Sequence, residues 1–221
     1  EDFVLIENKL CSYDEDGNPV GIEICEEGDD NPYVGDWNFI LFMTDADRST
    51  LDNVVSNYSS DGLMVYNNDG VTSESFISDA PVDIYNSRDN YFLKLEIPKL
   101  IMYGESEANI SNASILNEDS NAVEVYGDSI LNINRGGIKG NENGVLIFGN
   151  SSLVGTSLDI EGNNDGILIY SNSNLNITKS KISRANNAGI EAYMNGEDNN
   201  LSVTESEIFE NNYGIFAWGT P

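Results

Sequence analysis

The amino-acid sequence predicts an all-β fold, a single-stranded parallel β-helix (solenoid) of about nine coils behind an N-terminal hairpin cap. Three observations carry this. A tetrapeptide of the form aliphatic, any residue, aliphatic or small, aromatic recurs nine times, from Phe39-Ile40-Leu41-Phe42 to Ile215-Phe216-Ala217-Trp218. Successive aromatic residues stand 18 to 25 residues apart, a spread that suits coils differing in loop length. Asn makes up 31 of the 221 residues and is often doubled, and Asn belongs in turns because it tolerates left-handed backbone and hydrogen-bonds locally.

The first 37 residues lie outside the pattern and are expected to form the cap, with the β-helix over 38–221. Cys11 and Cys25 flank an Asp16-Gly17 turn signal between two strand-like runs, so a hairpin turning over Asp16 to Pro19 brings the two sulfurs together. A Cys11–Cys25 disulfide would imply an oxidising compartment, and two separately buried thiols are the competing reading. A cap here answers a physical need, since a β-helix has open strand edges at its ends. Within the same turn, Asp14, Asp16 and Asn18 offer oxygen ligands at alternating positions, which a hard cation such as calcium would accept. No closing bidentate Glu follows at the expected place, and a plain hairpin turn is the competing reading.

The last four coils are the most regular. Gly144, Gly166, Gly189 and Gly214 precede their tetrapeptides; Leu131, Leu153, Leu175 and Leu201 open another strand; Ile138, Ile160, Ile182 and Ile208 mark a third. One such coil cannot bury its apolar positions alone, so coils must stack in parallel register at ~4.8 Å, like on like. Aliphatic residues then stack inside and Asn and Gly in the turns, where they permit positive φ. Nine coils make a rod of ~40 Å. Helical solenoids fail on the dense Gly, Asn and Ser, and propeller blades need a longer period.

These coils resemble the right-handed parallel β-helices of the pectin-lyase-like superfamily, over about residues 38 to 218, and are closer to its generic surface and secreted repeat proteins than to its enzymes. The resemblance implies right-handed coiling. The superfamily's hydrolases use clustered Asp with His, and the chain has no His. Its lyases pair calcium-binding acids with Arg or Lys; no acid cluster with a basic residue one coil away stands out. Lys139, Lys179, Lys181 and Arg184 fall in neighbouring coils and read as solvated turn charges. The chain is therefore expected to be non-catalytic and without a cofactor, calcium aside.

The formal charge of −28 disfavours nucleic acid, anionic membranes and long acidic polysaccharides. No run of about 18 apolar residues proposes a membrane span. Six Asn-x-Ser/Thr sequons occur, at Asn57, Asn109, Asn112, Asn150, Asn176 and Asn200. The start lacks a Met and a signal-like zone, which reads as a mature or trimmed piece, and the end at Trp218-Gly219-Thr220-Pro221 follows a coil strand directly, so further chain or another subunit is expected to cover it.

The aromatic position has two readings. First and third residues of a tetrapeptide share one side of a strand and the aromatic takes the other. Either the ring folds into a corner as packing, or Tyr126, Phe148, Tyr170, Tyr193 and Trp218 form an outward apolar stripe that binds a partner surface or sugar rings. The expected function is an extracellular or cell-surface structural protein, a fibre or filament subunit or adhesin stalk, with self-association through helix ends or an apolar outer face as its sharper form. A carbohydrate-active enzyme or binding module for neutral glycans, and a viral fibre module, are the alternatives.

Overall fold

The computed structural model describes residues 3–6, 9–12, 37–43, 48–57, 59–194 and 200–219. All their regular structure is strand. A nine-stranded parallel sheet holds the tetrapeptides, running from Trp37–Phe42 to Tyr213–Gly219. A thirteen-stranded parallel sheet holds the other two strands of each coil. In the middle coils these two strands fuse into one bent strand, Ile130–Gly140 and Ser152–Gly162, which turns at Arg135 and Ser157, both at positive φ. Of the expected cap, a short antiparallel hairpin is described, Phe3–Ile6 with Lys9–Ser12, in which Val4 pairs with Cys11.

Like sits on like, as the repeat requires. Leu131, Leu153, Leu175 and Leu201 form one register column, and Ile138, Ile160, Ile182 and Ile208 another. The first and third tetrapeptide positions, such as Val145 and Ile147 or Ile167 and Ile169, point inward and are fully buried. Each Leu or Ile there is worth ~2–5 kcal/mol against Ala, because stacked coils cannot collapse into the hole left behind. Asn141, Asn163 and Asn186 continue the stacking in the turns, with the Asn186 amide donating to the Asn163 side-chain oxygen at 2.7 Å and Asn163 donating to Asn141 at 3.5 Å. The edge strand Tyr213–Gly219 shows what stacking supplies: Ile215 is 47% exposed, while Ile190, its partner in register, is 0% exposed.

The first coil departs from the sequence alignment by one residue. Ile40 pairs with Leu63 and Phe42 with Val65, after a register shift between Trp37 and Phe39. Because side chains alternate, this slip turns Phe42 into the core, where it is buried, so the aromatic column begins at Tyr66.

Positive φ falls on the residue just after six of the eight column rings, at Asn67, Asn86, Gly104, Gly127, Gly149 and Ser171, and not after Tyr193 or Trp218. The chain thus corners directly beyond the aromatic. A serine then closes the corner: the Ser129 hydroxyl donates to the Tyr126 carbonyl at 2.8 Å and reaches Gly104 O of the previous coil at 3.0 Å. Ser151 and Ser173 repeat it. The glycines that precede the tetrapeptides serve a different need. A Cβ on Gly166 would come within 2.5 Å of both the Gly189 carbonyl oxygen and Ile182 Cγ2, so the position is empty to let coils approach.

Candidate functional site

The outward face of the nine-stranded sheet carries the residues with chemistry. Tyr126, Phe148, Tyr170, Tyr193 and Trp218 stand in one column, as the repeat predicts, and all point away from the core. The corner comes after the ring, so the ring does not fold into it. Most of the rings stack on one another: Tyr66 on Tyr85 at 4.8 Å, Tyr103 on Tyr126 at 5.0 Å and Tyr170 on Tyr193 at 5.1 Å, within 10° of parallel. Each ring of a stacked pair gives one flat face to its partner in the neighbouring coil. Phe148 interrupts this, tilted by 57° and 61° to the rings on either side.

Beside the rings runs a second outward row, Glu124, Leu146, Leu168 and Glu191 in register. Its acids were not picked out in the sequence, although the signal was there: Glu124-x-Tyr126 and Glu191-x-Tyr193 put carboxylate and phenol on the same side of a strand. Glu124 is buried and accepts three hydrogen bonds or ion contacts, from Lys99 Nζ at 2.7 Å, Asn121 Nδ2 at 3.0 Å and the Tyr126 hydroxyl at 2.9 Å. Burial pushes its pKa up, but the donations from Lys99, Asn121 and Tyr126 outweigh burial and hold it below the ordinary value. The Tyr126 phenol is pushed up, by burial first and then by its bond to Glu124. Lys99 thus gives a single acid a basic partner from the preceding coil, a pair that the sequence reading did not single out. The sequence hid it because Lys99 lies just before one tetrapeptide and Glu124 inside the next.

Two coils before Glu124 in the same row stands Asp83. Burial chiefly, and the negative charges of Asp61 and Glu124, raise it to about 6 against the opposing pull of Lys99. Its Oδ1 is buried with no hydrogen-bond partner among the described residues.

A second cluster surrounds Glu191. The Tyr193 hydroxyl donates to Glu191 Oε1 at 2.5 Å, and the Asn187 amide bridges Glu191 Oε2 at 2.6 Å and Asp165 Oδ1 at 2.9 Å. Asp165 also accepts from the Ala188 N–H and from Asn164 Nδ2. No lysine stands here as Lys99 does beside Glu124, and Asp165 is raised, by burial first and then by Glu191, over the lowering bonds from Ala188 and Asn187. The Tyr193 phenol is pushed up to about 12 by its bond to Glu191.

Elsewhere, the turn cations behave as the sequence suggests. Arg184 and Lys139 both approach Glu161, Lys139 at 3.6 Å, and Lys179 lies 3.8 Å from Glu205. The three cations and Glu205 are exposed while Glu161 is half-buried, and pairs with such exposed cations contribute little each. Asp14, Asp16 and Asn18, and the Cys11–Cys25 pairing, lie outside the described residues. Among the described residues no three Asp, Glu or Cys side chains gather as a metal site. Of the sequons, Asn57, Asn150, Asn176 and Asn200 are exposed and Asn109 and Asn112 half-buried. Asn176 and Asn200 fall on one flank, because Asn200 pairs with Asn174, and Asn150 precedes Ser152 of the same row.

An all-parallel stack of short strands with aliphatic columns inside and a ring ladder outside defines a β-solenoid. The chain belongs to the right-handed β-helix family, whose model, described as a right-handed beta helix region, matches residues 40–221. No curated protein and no solved structure matches it.

Proposed function

We propose that this is a non-catalytic structural module of the extracellular space or cell surface, a stiff rod serving as a fibre or filament subunit or an adhesin stalk. The ring ladder carries the reading. Pairs such as Tyr170 and Tyr193, stacked at 5.1 Å and nearly parallel, each give one face to the other, which stiffens the joint between coils and withdraws that face from any sugar ring. The buried Lys99–Glu124 pair likewise staples one coil to the next.

Phe148 and Trp218, 48% and 59% exposed, are the column rings outside the stacked pairs, and they support self-association through the outer face and the end coil. Negative-stain electron microscopy with light scattering tests this. Rods joined into oligomers or filaments, shortened by Trp218→Ala, are expected; monodisperse monomers at high concentration refute self-association, and a uniform trimer would favour a viral fibre module.

A second reading, a carbohydrate-active enzyme on neutral glycans, is favoured by one observation: Asp83 is raised to about 6 while Glu124 is lowered, two carboxyls of one face pushed apart in acidity. Product release from a neutral glycan panel that disappears in Asp83→Asn would establish it, and silence across the panel would remove it.

A further inference from the structure

Lys99, Asn121 with Glu124, and Asn143 come from three successive coils and meet beside the tetrapeptide strands. Asn121, Glu124 and Asn143 are buried, and the Lys99 side chain is nearly so. Their contacts fall in the order that an acyl transfer requires. One carboxylate oxygen, Glu124 Oε1, takes both the Lys99 ammonium at 2.7 Å and the Asn121 Nδ2 amide at 3.0 Å. The other, Oε2, is occupied by the Tyr126 hydroxyl at 2.9 Å.

On its far side the Asn121 amide is polarised. Its Oδ1 accepts from the Asn143 backbone N–H at 3.2 Å and from Asn143 Nδ2 at 2.8 Å. A backbone N–H can only donate, so this contact fixes which end of the amide is oxygen and leaves Nδ2 facing Glu124. Lys99 Nζ also lies 3.4 Å from the hydroxyl of Ser120, the neighbour of Asn121, which keeps the amine beside the amide. The site thus holds a nucleophile, a carboxylate touching both the attacking and the leaving nitrogen, and two donors where an oxyanion would form, with little water around them.

We propose that Lys99 and Asn121 join through an intramolecular isopeptide bond, a self-modification made once per chain that ties two neighbouring coils covalently. Lys99 Nζ gives a proton to Glu124 Oε1, and its lone pair forms the bond to Asn121 Cγ. The negative charge that gathers on Oδ1 is held by the two Asn143 donors. Glu124 passes its proton to Nδ2, the Cγ–Nδ2 bond breaks, and ammonia leaves with the second proton shed by the new amide nitrogen. An ammonium and a primary amide have become a secondary amide and an ammonium ion, and no oxidant or cofactor enters. Only a free amine attacks, and lysine ammonium groups are protonated at neutral pH, so fresh chain holds the ion pair and links slowly, faster in alkali.

The test is intact mass and peptide mapping of the whole chain, fresh and after incubation at about pH 9. A loss of about 17 Da, one ammonia, that grows with time is expected. Trypsin should then leave residues 95–135 uncut at Lys99, and a glutamate-specific protease should open that piece to a branched peptide joining Lys99 to Asn121. Lys99→Met should lose no ammonia there, Glu124→Gln should link about a hundredfold more slowly or less, and the distant Lys139→Met should link like the wild type. Circular dichroism checks that each variant is folded, and the branched peptide from the wild type decides the matter without them. The proposal is overturned if aged wild type is cut at Lys99 as fully as fresh protein, if the lost ammonia maps to another asparagine, if Lys99 joins Asp83 with loss of water instead, or if folded Glu124→Gln links at the wild-type rate. The rod reading stands apart from this result, since microscopy decides it.

Discussion

Replacing Lys99 by Met removes the cation from Glu124 while keeping most of the aliphatic stem. The two side chains are 17% and 10% exposed and 2.7 Å apart. Removing one partner of a buried pair costs ~3–5 kcal/mol, because the remaining charge is left without its counterion. Asn121 and Tyr126 still donate to Glu124, which places the expectation at the lower end, ~3 kcal/mol. For a chain of this size that lowers the thermal midpoint by about 6–12 °C.

The pH dependence gives an internal check. A carboxyl held below its unfolded value contributes stability that is present above that unfolded value, near pH 4.3, and is lost as pH falls through the folded value. Without Lys99 the Glu124 carboxyl rises and takes up its proton earlier on acidification. The gap between wild type and Lys99→Met should therefore be largest near neutral pH and shrink towards pH 4. Urea unfolding followed by circular dichroism across that range measures it. Adding Glu124→Gln to Lys99→Met should restore much of the loss, since no buried charge then lacks a partner. A cost under ~0.5 kcal/mol for Lys99→Met, or a double variant as unstable as both single losses added together, would show that the pair does not staple the coils.

Two further outcomes follow from the packing and the charges. Gly166→Ala should cost ~1–3 kcal/mol, since its Cβ would strike the Gly189 carbonyl and Ile182, whereas Gly137→Ala, with open space around its Cβ, should stay within about half a kcal/mol; equal losses in urea unfolding would refute the close-approach argument. Asp83 is raised to about 6, so the stability it contributes is complete below its unfolded value near pH 4 and is lost as pH rises through 6. Asp83→Asn should therefore gain on the wild type over that interval, and parallel midpoint-against-pH curves would overturn the assignment.

Most of the architecture was legible in the sequence because a solenoid repeats its own instructions: a core position in one coil is a core position in the next. The Leu131 and Ile138 columns show this, since each residue packs on its like in register. The slip at Phe42 was not legible. An aromatic fits the pattern equally well on either side of a strand, and only the pairing of Ile40 with Leu63 places it inside. The glycine roles were half legible, because a sequence shows where Gly recurs but not whether it frees φ, as at Gly127, or leaves room, as at Gly166.

The site divides along the same line. Composition, spacing and side-chain alternation determined by themselves that there is a stack of coils and, beyond the first coil, which residues are aliphatic core and that the aromatic residues form one column. Tertiary structure alone decided that the chain corners after the ring and turns it outward, that rings of neighbouring coils stack in pairs, and that Lys99 reaches Glu124 across a coil boundary. The physical reason is that periodicity encodes which side of a strand a residue takes, while contacts between coils depend on loop lengths, which vary from coil to coil and set which side chains meet.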